Sequence, residues 1–314
     1  MSIVKVIDLL PGKVVPLQAI SAEALQADEF WHRFVCRHEP VIIRGAAAGW
    51  PAVRHWAVPG YLESRCADEA VRLWRTFNPA PVLEGTAAMT RRPLKDCLRE
   101  MREAPGDATF SIPGLDLPAG WAPDIGSLGM LSPRHERAPY GYPGKRLFVY
   151  RNASTEWHYH TIDETLTSQL VGRKRFSLFR PDRLTWDHVE PLVRYNYHHM
   201  PCGRQFFHAD TNIVKHEGEA GPGDVIYIPP YWWHGVDPVD AELGVTLATC
   251  FRSPLRRFGS WSDPVTQELI GDVVRSNKAS VPLLLAVLAA SSLSRKIKGE
   301  PWWPMRKQPG AASS

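Results

Sequence analysis

A mainly β fold, its short strands closing into a barrel or sandwich, is what this chain of 314 residues predicts. Three observations point there. Beyond Arg146, brief runs rich in β-branched and aromatic residues succeed one another over 147–150, 155–160, 169–179, 224–228 and 244–251. Turn residues separate them and no long helical pattern intervenes, as expected of a sheet folded on itself. The second observation is Thr155-Glu156-Trp157-His158-Tyr159-His160. On a strand, residues i and i+2 share a face, so His158 and His160 reach one point while Tyr159 looks away. The third is Gly223-Asp224-Val225-Ile226-Tyr227-Ile228-Pro229-Pro230-Tyr231-Trp232-Trp233-His234, an apolar strand that runs into a proline and aromatic turn and ends on a histidine.

Taken in order, the chain opens with short apolar pieces and an amphipathic helix. Ser21 is its N-cap, and Leu25, Phe30 and Phe34 lie on or near one face. Glu39-Pro40-Val41-Ile42-Ile43-Arg44-Gly45 reads as a buried strand and Gly49-Trp50-Pro51-Ala52 as a turn. A helix over 61–67 and a strand over 71–74 follow. The proline- and glycine-rich stretch 78–145 reads as loops packed on one sheet, with a helix at 94–101. Residues 182–218 form a long irregular insertion rich in histidine. After 255 the strand pattern stops. Asp263-Pro264 starts one helix, striped by Val265, Leu269, Ile270, Val273 and Val274, and Pro282 opens a second. Two units result: residues 1–255 carry the barrel and its N-terminal elaboration, and 256–314 a helical extension. The extension has surplus apolar surface, which suits packing on the barrel or on a second copy as a homodimer.

The totals exclude several classes. A net charge of +4 without a basic stripe argues against nucleic acid as a partner. Five scattered cysteines without a CxxC pair argue against a disulfide framework or structural zinc, and favour a reducing, cytoplasmic setting. The first ten residues carry no long apolar stretch or cleavage signature and read as no signal peptide. The longest apolar run, 283–290, is too short to span a bilayer, so no membrane partner is expected.

Chemistry concentrates on the histidines. His158, His160 and His234 converging in a barrel would form a transition-metal site with open positions. Glu164 shares the parity of His158 and His160, so on a continuous strand it could join or replace them; Asp163 could do so only across a bulge. A second His-x-Asp, His208-Ala209-Asp210, reads as loop; His188, His198, His199 and His216 read mostly as surface or loop-packing residues, with room for one of them to line a substrate entrance. Lys174 has the parity of Phe176 and Leu178 and thus faces the apolar side, where an ammonium needs an anion.

These motifs resemble a known family. His158-x-His160 with Glu164 and Gly172, then Gly223, Pro229 and His234, approximate the two signatures of the cupin barrels. Gln169-Leu170-Val171-Gly172-Arg173-Lys174-Arg175 and Pro222-Gly223-Asp224 sharpen the likeness to the JmjC-like cupins, the iron(II)/2-oxoglutarate oxygenases that include the asparaginyl hydroxylase acting on hypoxia-inducible factor. The resemblance implies a double-stranded β-helix (jelly-roll) with flanking helices and a requirement for Fe(II), 2-oxoglutarate and O2. It implies iron on His158 and His234, with Lys174 and Thr155 on the cosubstrate and no catalytic residue beyond the metal centre. The implied reaction is hydroxylation of an unactivated C–H in a small molecule or peptidyl side chain. One position departs: the family places an aspartate where this chain has His160. Two alternatives therefore stand beside the oxygenase: a 2-oxoglutarate-independent metal cupin (dioxygenase or isomerase) using His158, His160, Glu164 and His234, and a non-catalytic cupin that binds a ligand.

Overall fold

Two sheets face each other across an apolar interior. The computed structural model describes residues 5–74, 91–133, 135–139, 143–160, 163–180, 213–230, 232–240, 243–252, 279 and 281–297. Its strands are β1 (Lys13–Pro16), β2 (Ala19–Ser21), β3 (Val41–Arg44), β4 (Ala70–Val71), β5 (Arg92–Pro93), β6 (Phe110–Asp116), β7 (Lys145–Arg151), β8 (Thr155–His158), β9 (Asp163–Val171), β10 (Lys174–Phe179), β11 (Val214–Ala220), β12 (Val225–Ile228), β13 (Trp233–Pro238) and β14 (Gly244–Arg252). The helices are α1 (Ala27–Phe30), α2 (Pro51–His55), α3 (Tyr61–Ser64), α4 (Leu94–Glu103) and α5 (Val281–Ile297).

The smaller sheet has the order β1-β11-β10-β13-β8, and the larger β2-β3-β12-β9-β14-β7-β6. From β7 onward the chain alternates between sheets except at β10 and β11, which pair in the smaller one: β7, β9, β12 and β14 enter the larger sheet, while β8, β10, β11 and β13 enter the smaller. This is the double-stranded β-helix, a jelly-roll with helices on its flank. Alternation along each strand separates two cores. Ile42, Phe176, Leu178, Ile226, Ile228 and Val236 pack between the sheets. Val41, Ile43, Leu166, Val225, Tyr227 and Phe251 face outward to a second core, with Phe30, Phe34, Leu62 and Leu98 from the helices. Apolar residues on both faces explain why Val41–Ile43 of β3 and all of β12 are apolar rather than alternating.

Several boundaries differ from the sequence reading. Ser21 caps only a 3-10 turn, its Oγ accepting from the Glu23 N–H at 3.3 Å. The helix itself begins at Ala27 and continues as a π-helical turn over Trp31–Val35. Gly49–Trp50 leads into α2, with Pro51 as its first residue. The stretch 169–179 is two strands in different sheets, divided at Gly172, whose φ of +74° favours glycine. β11 replaces the end of the supposed insertion. Its apolar signal is weak because the inner positions are His216, Gly218 and Ala220, while Lys215 and Glu217 meet Arg175 in an ion-pair network on the outer face. His234 does not end a strand; it lies near the start of β13. His188, His198, His199, His208, Asp210 and the Asp263 helix lie outside the described residues. α5 contains the Pro282 segment and exposes Leu283, Leu293 and Ile297. No helix among the described residues is long and apolar enough to cross a membrane.

The N-terminal segment is latched to the barrel by Asp237. Its buried carboxylate accepts from the Val6 N–H (2.8 Å), the Ile7 N–H (3.1 Å) and the Ser154 hydroxyl (2.6 Å). The Trp157 indole donates to the Val6 carbonyl at 2.9 Å. Asp237→Ala leaves two backbone donors buried without an acceptor. It is expected to lower stability by about 2–4 kcal/mol, read as a lower urea midpoint with unchanged slope.

Candidate metal centre

His158 ends β8, and His234 lies directly opposite it on β13, so both side chains leave the smaller sheet on its inner face. His160 lies past the end of β8, outside any strand. It nonetheless joins them: one ring nitrogen from each of the three lies within 4.8 Å of the others. Ring centroids are 4.0 Å apart for His158 and His234, 5.0 Å for His160 and His234, and 5.3 Å for His158 and His160. Tyr159 turns the other way, onto Trp233.

The hydrogen bonds behind the rings set their tautomers. His158 Nδ1 lies 2.7 Å from the Glu156 carbonyl and His234 Nδ1 lies 3.0 Å from the Trp232 carbonyl. A carbonyl only accepts, so both Nδ1 atoms carry a proton, and in the neutral ring both Nε2 atoms keep a lone pair. This is the usual arrangement behind metal-bound imidazole. His160 Nδ1 contacts the Thr165 hydroxyl at 2.8 Å. A transition metal holds imidazole nitrogens at about 2.1 Å, and three nitrogens this close can share one ion. Three imidazoles suit iron, zinc, copper or nickel. The residues therefore fit a transition metal.

Glu164 is placed elsewhere. The chain leaves the smaller sheet after His158 and re-enters in the larger one at Asp163, so strand parity does not carry across. Glu164 shares the outward face of Leu166, and its carboxylate accepts from the Tyr227 hydroxyl in the outer core. Asp163 and Thr165 face the interior.

Lys174 sits two rungs above Leu178, the residue opposite His234, which places it roughly 13 Å along the sheet from the triad. Phe176 and Val236 occupy the rung between, and Thr155, opposite Val236, faces the interior at that level. A bulge between Thr155 and His158 lets both face inward. Lys174 is 5% exposed, and burial pushes its ammonium down to about 7. Its Nζ lies 3.8 Å from the centroid of the Tyr150 ring, and it has no ion pair among the described residues. That ring is fixed in turn. The Gln169 amide donates to the Tyr150 hydroxyl at 2.9 Å and accepts from Thr246 at 2.9 Å. Gly244 gives the ring its space: a Cβ there would lie 2.0 Å from Tyr150 Cζ. So Gln169 sets the aromatic platform, Gly172 turns the chain between sheets, Lys174 points inward and Arg175 outward to Glu217.

Sequence reasoning missed Tyr150, Thr165 and the inward position of His216. His216 lies opposite Leu178, on the triad's rung and two strands from His234, and packs on Trp232; burial lowers its pKa. Recognising β11 as a strand would have placed it. A groove of about 700 Å³ beside α4 lies apart from the triad, and its charges pair locally, Arg92 with Glu100 and Arg99 with Asp96.

A family model described as a cupin-like domain matches residues 27–254. The chain belongs to this cupin-like, JmjC-type family. Within curated proteins it is 24% identical over 260 residues to an arginine-specific demethylase of Arabidopsis thaliana, covering 74% of this chain and 46% of that protein. It is 27% identical over 117 residues to HSPB1-associated protein 1 of Mus musculus, covering 32% of this chain and 23% of that protein. The human HSPB1-associated protein 1 is 26% identical over 115 residues, with the same two coverages, 32% and 23%. The chain thus spans from about a quarter to about half the length of these relatives.

Proposed function

We propose that this cupin-like protein is an iron(II)- and 2-oxoglutarate-dependent oxygenase that hydroxylates an unactivated C–H bond of a small molecule or an amino-acid side chain. The observation that carries the reading is Lys174, an ammonium buried without an ion pair among the described residues, in the same barrel as three converging imidazoles. A dicarboxylate that reaches from the metal towards Lys174 would match that arrangement. The less exposed the ammonium, the more such an anion is worth to it.

The chain's own part is holding and shielding. His158, His160 and His234 would bind the metal through Nε2. Lys174 would bind the distal carboxylate, and the Thr155 hydroxyl would donate to the same molecule. Phe176 and Val236 would keep water from the space between. Three neutral imidazoles leave the ion's full double charge in place, which strengthens its hold on an anionic cosubstrate. When bound, iron(II) with 2-oxoglutarate and O2 supplies the oxidation, one oxygen atom going to the substrate and the other to the oxo acid, which leaves as succinate and CO2. Glu164, hydrogen-bonded to Tyr227 in the outer core, gives the four-ligand alternative less support.

The test is anaerobic loading with Fe(II), followed by an assay for succinate as O2 is admitted. Succinate is expected only when Fe(II), 2-oxoglutarate and O2 are all present. Arginine-containing peptides come first in the substrate screen, because the Arabidopsis relative is an arginine-specific demethylase. Substrate oxidation that proceeds equally well without 2-oxoglutarate would favour the metal cupin that needs none.

A further inference from the structure

We infer that Thr165 is the positioning residue for the third imidazole, and that its hydroxyl decides whether His160 enters the metal's coordination shell. The inference rests on the metal-centre reading of the triad.

His158 and His234 are held twice over. Each belongs to a strand, the two strands pair at these residues, and each Nδ1 faces a backbone carbonyl. Neither the backbone nor the tautomer has an alternative there. His160 is held differently. It lies beyond β8, and its Nδ1 faces a hydroxyl on β9, in the opposite sheet. Thr165 is 2% exposed, so water does not compete freely for this contact.

A hydroxyl can act either way. If Thr165 Oγ1 accepts from His160 Nδ1–H, then Nε2 holds a lone pair and can bind a metal. If it donates to Nδ1, the imidazole proton sits on Nε2 and the ring cannot ligate. Behind the hydroxyl lies a group that serves both states: Cys250 Sγ is 3.7 Å from Thr165 Oγ1, and either atom can donate. Burial raises the Cys250 pKa, which keeps the thiol protonated. In the ligating state, Nδ1–H donates to Oγ1 and the hydroxyl turns its hydrogen to sulfur. In the other, S–H donates to Oγ1, the hydroxyl turns to Nδ1, and the imidazole proton has moved from Nδ1 to Nε2. Exchange with solvent takes the proton from Nδ1 and returns one to Nε2, so no net charge changes, while the hydroxyl and thiol only rotate. The centre thus has two fixed donors and one conditional donor, and metal binding selects the ligating arrangement.

The experiment uses the full chain with Co(II) as probe, measuring affinity by chelator competition and coordination by the visible spectrum. Thr165→Val keeps shape and removes the hydroxyl. It is expected to weaken Co(II) binding by about 10–100-fold, the usual effect of losing a partner behind a ligand, and to change the spectrum. Thr165→Ser restores the hydroxyl and is expected to rescue both. Wild-type affinity and spectrum in Thr165→Val overturn the inference, as does a Thr165→Ser protein as weak as Thr165→Val. Should Thr165→Val not fold by circular dichroism, nitrogen NMR of Zn(II)-loaded wild type decides: a His160 proton on Nδ1 supports the inference, and one on Nε2 overturns it. If wild type binds no Co(II), the metal-centre reading falls and takes the inference with it. Binding by wild type that is indifferent to Thr165 sinks the inference alone.

Discussion

His234→Ala is expected to yield a folded protein that no longer retains a transition metal. His234 is the central donor of the three. It is 2% exposed, lies opposite His158 across the β8–β13 ladder, and its ring is near both other imidazoles. Its loss leaves His158 and the conditional His160, with the tautomer of only one remaining donor fixed by a carbonyl. Metal affinity should fall by more than the roughly 10–100-fold typical of losing a supporting partner, and Fe(II)-dependent succinate formation should fall to background. The structural penalty is smaller. Trp233 and Leu178 still pack on either side of the strand, so destabilisation should stay within about 1–3 kcal/mol. Metal content after dialysis, together with a thermal melt of the metal-free protein, checks both halves. His234→Ala protein that keeps stoichiometric metal would overturn the triad as a metal site.

The convergence of His158, His160 and His234 was legible because their spacing implied it, yet the reason differed from the one that spacing suggested. Period-2 parity places His158 and His160 on one face only while the strand continues, and β8 ends at His158. What brings His160 back is a hydroxyl from the other sheet, a contact across the barrel that no local pattern encodes. The same break misled the reading of Glu164: after a crossing between sheets, parity starts afresh. Lys174 was read correctly as inward-facing because Phe176 and Leu178 lie on its own uninterrupted strand. β11 stayed hidden because its charges neutralise one another in ion pairs rather than alternating with large apolar residues. Tyr150 looked like ordinary strand filling. Its role as platform for Lys174 depends on Gln169 and Gly244, which fold topology brings beside it.

Lys174→Met should stabilise the metal-free protein and cripple cosubstrate binding, two effects of opposite sign from one substitution. The ammonium is buried over Tyr150, and desolvation holds its pKa at about 7. The unfolded chain, with an ordinary lysine, therefore binds more protons than the folded one between about pH 7 and the usual lysine range near 10.4. Wild-type stability should rise with pH across that window, and the penalty is fully present below it. Methionine fills similar space without charge, so its gain in stability should be largest below pH 7, on the order of a few kcal/mol, and should shrink as pH rises. Binding of 2-oxoglutarate runs the other way. The anion must meet a charged lysine, so wild-type affinity should be flat below about pH 7 and fall up to tenfold per pH unit above it. In Lys174→Met it should be about 100-fold weaker and lose that pH dependence. Scanning fluorimetry from pH 6 to pH 9, paired with calorimetric titration of 2-oxoglutarate into Fe(II)-loaded protein under anaerobic conditions, separates the two effects. A less stable Lys174→Met protein would mean that the lysine is satisfied without a ligand. Unchanged 2-oxoglutarate affinity would remove the cosubstrate from this site while leaving the three imidazoles to hold their metal.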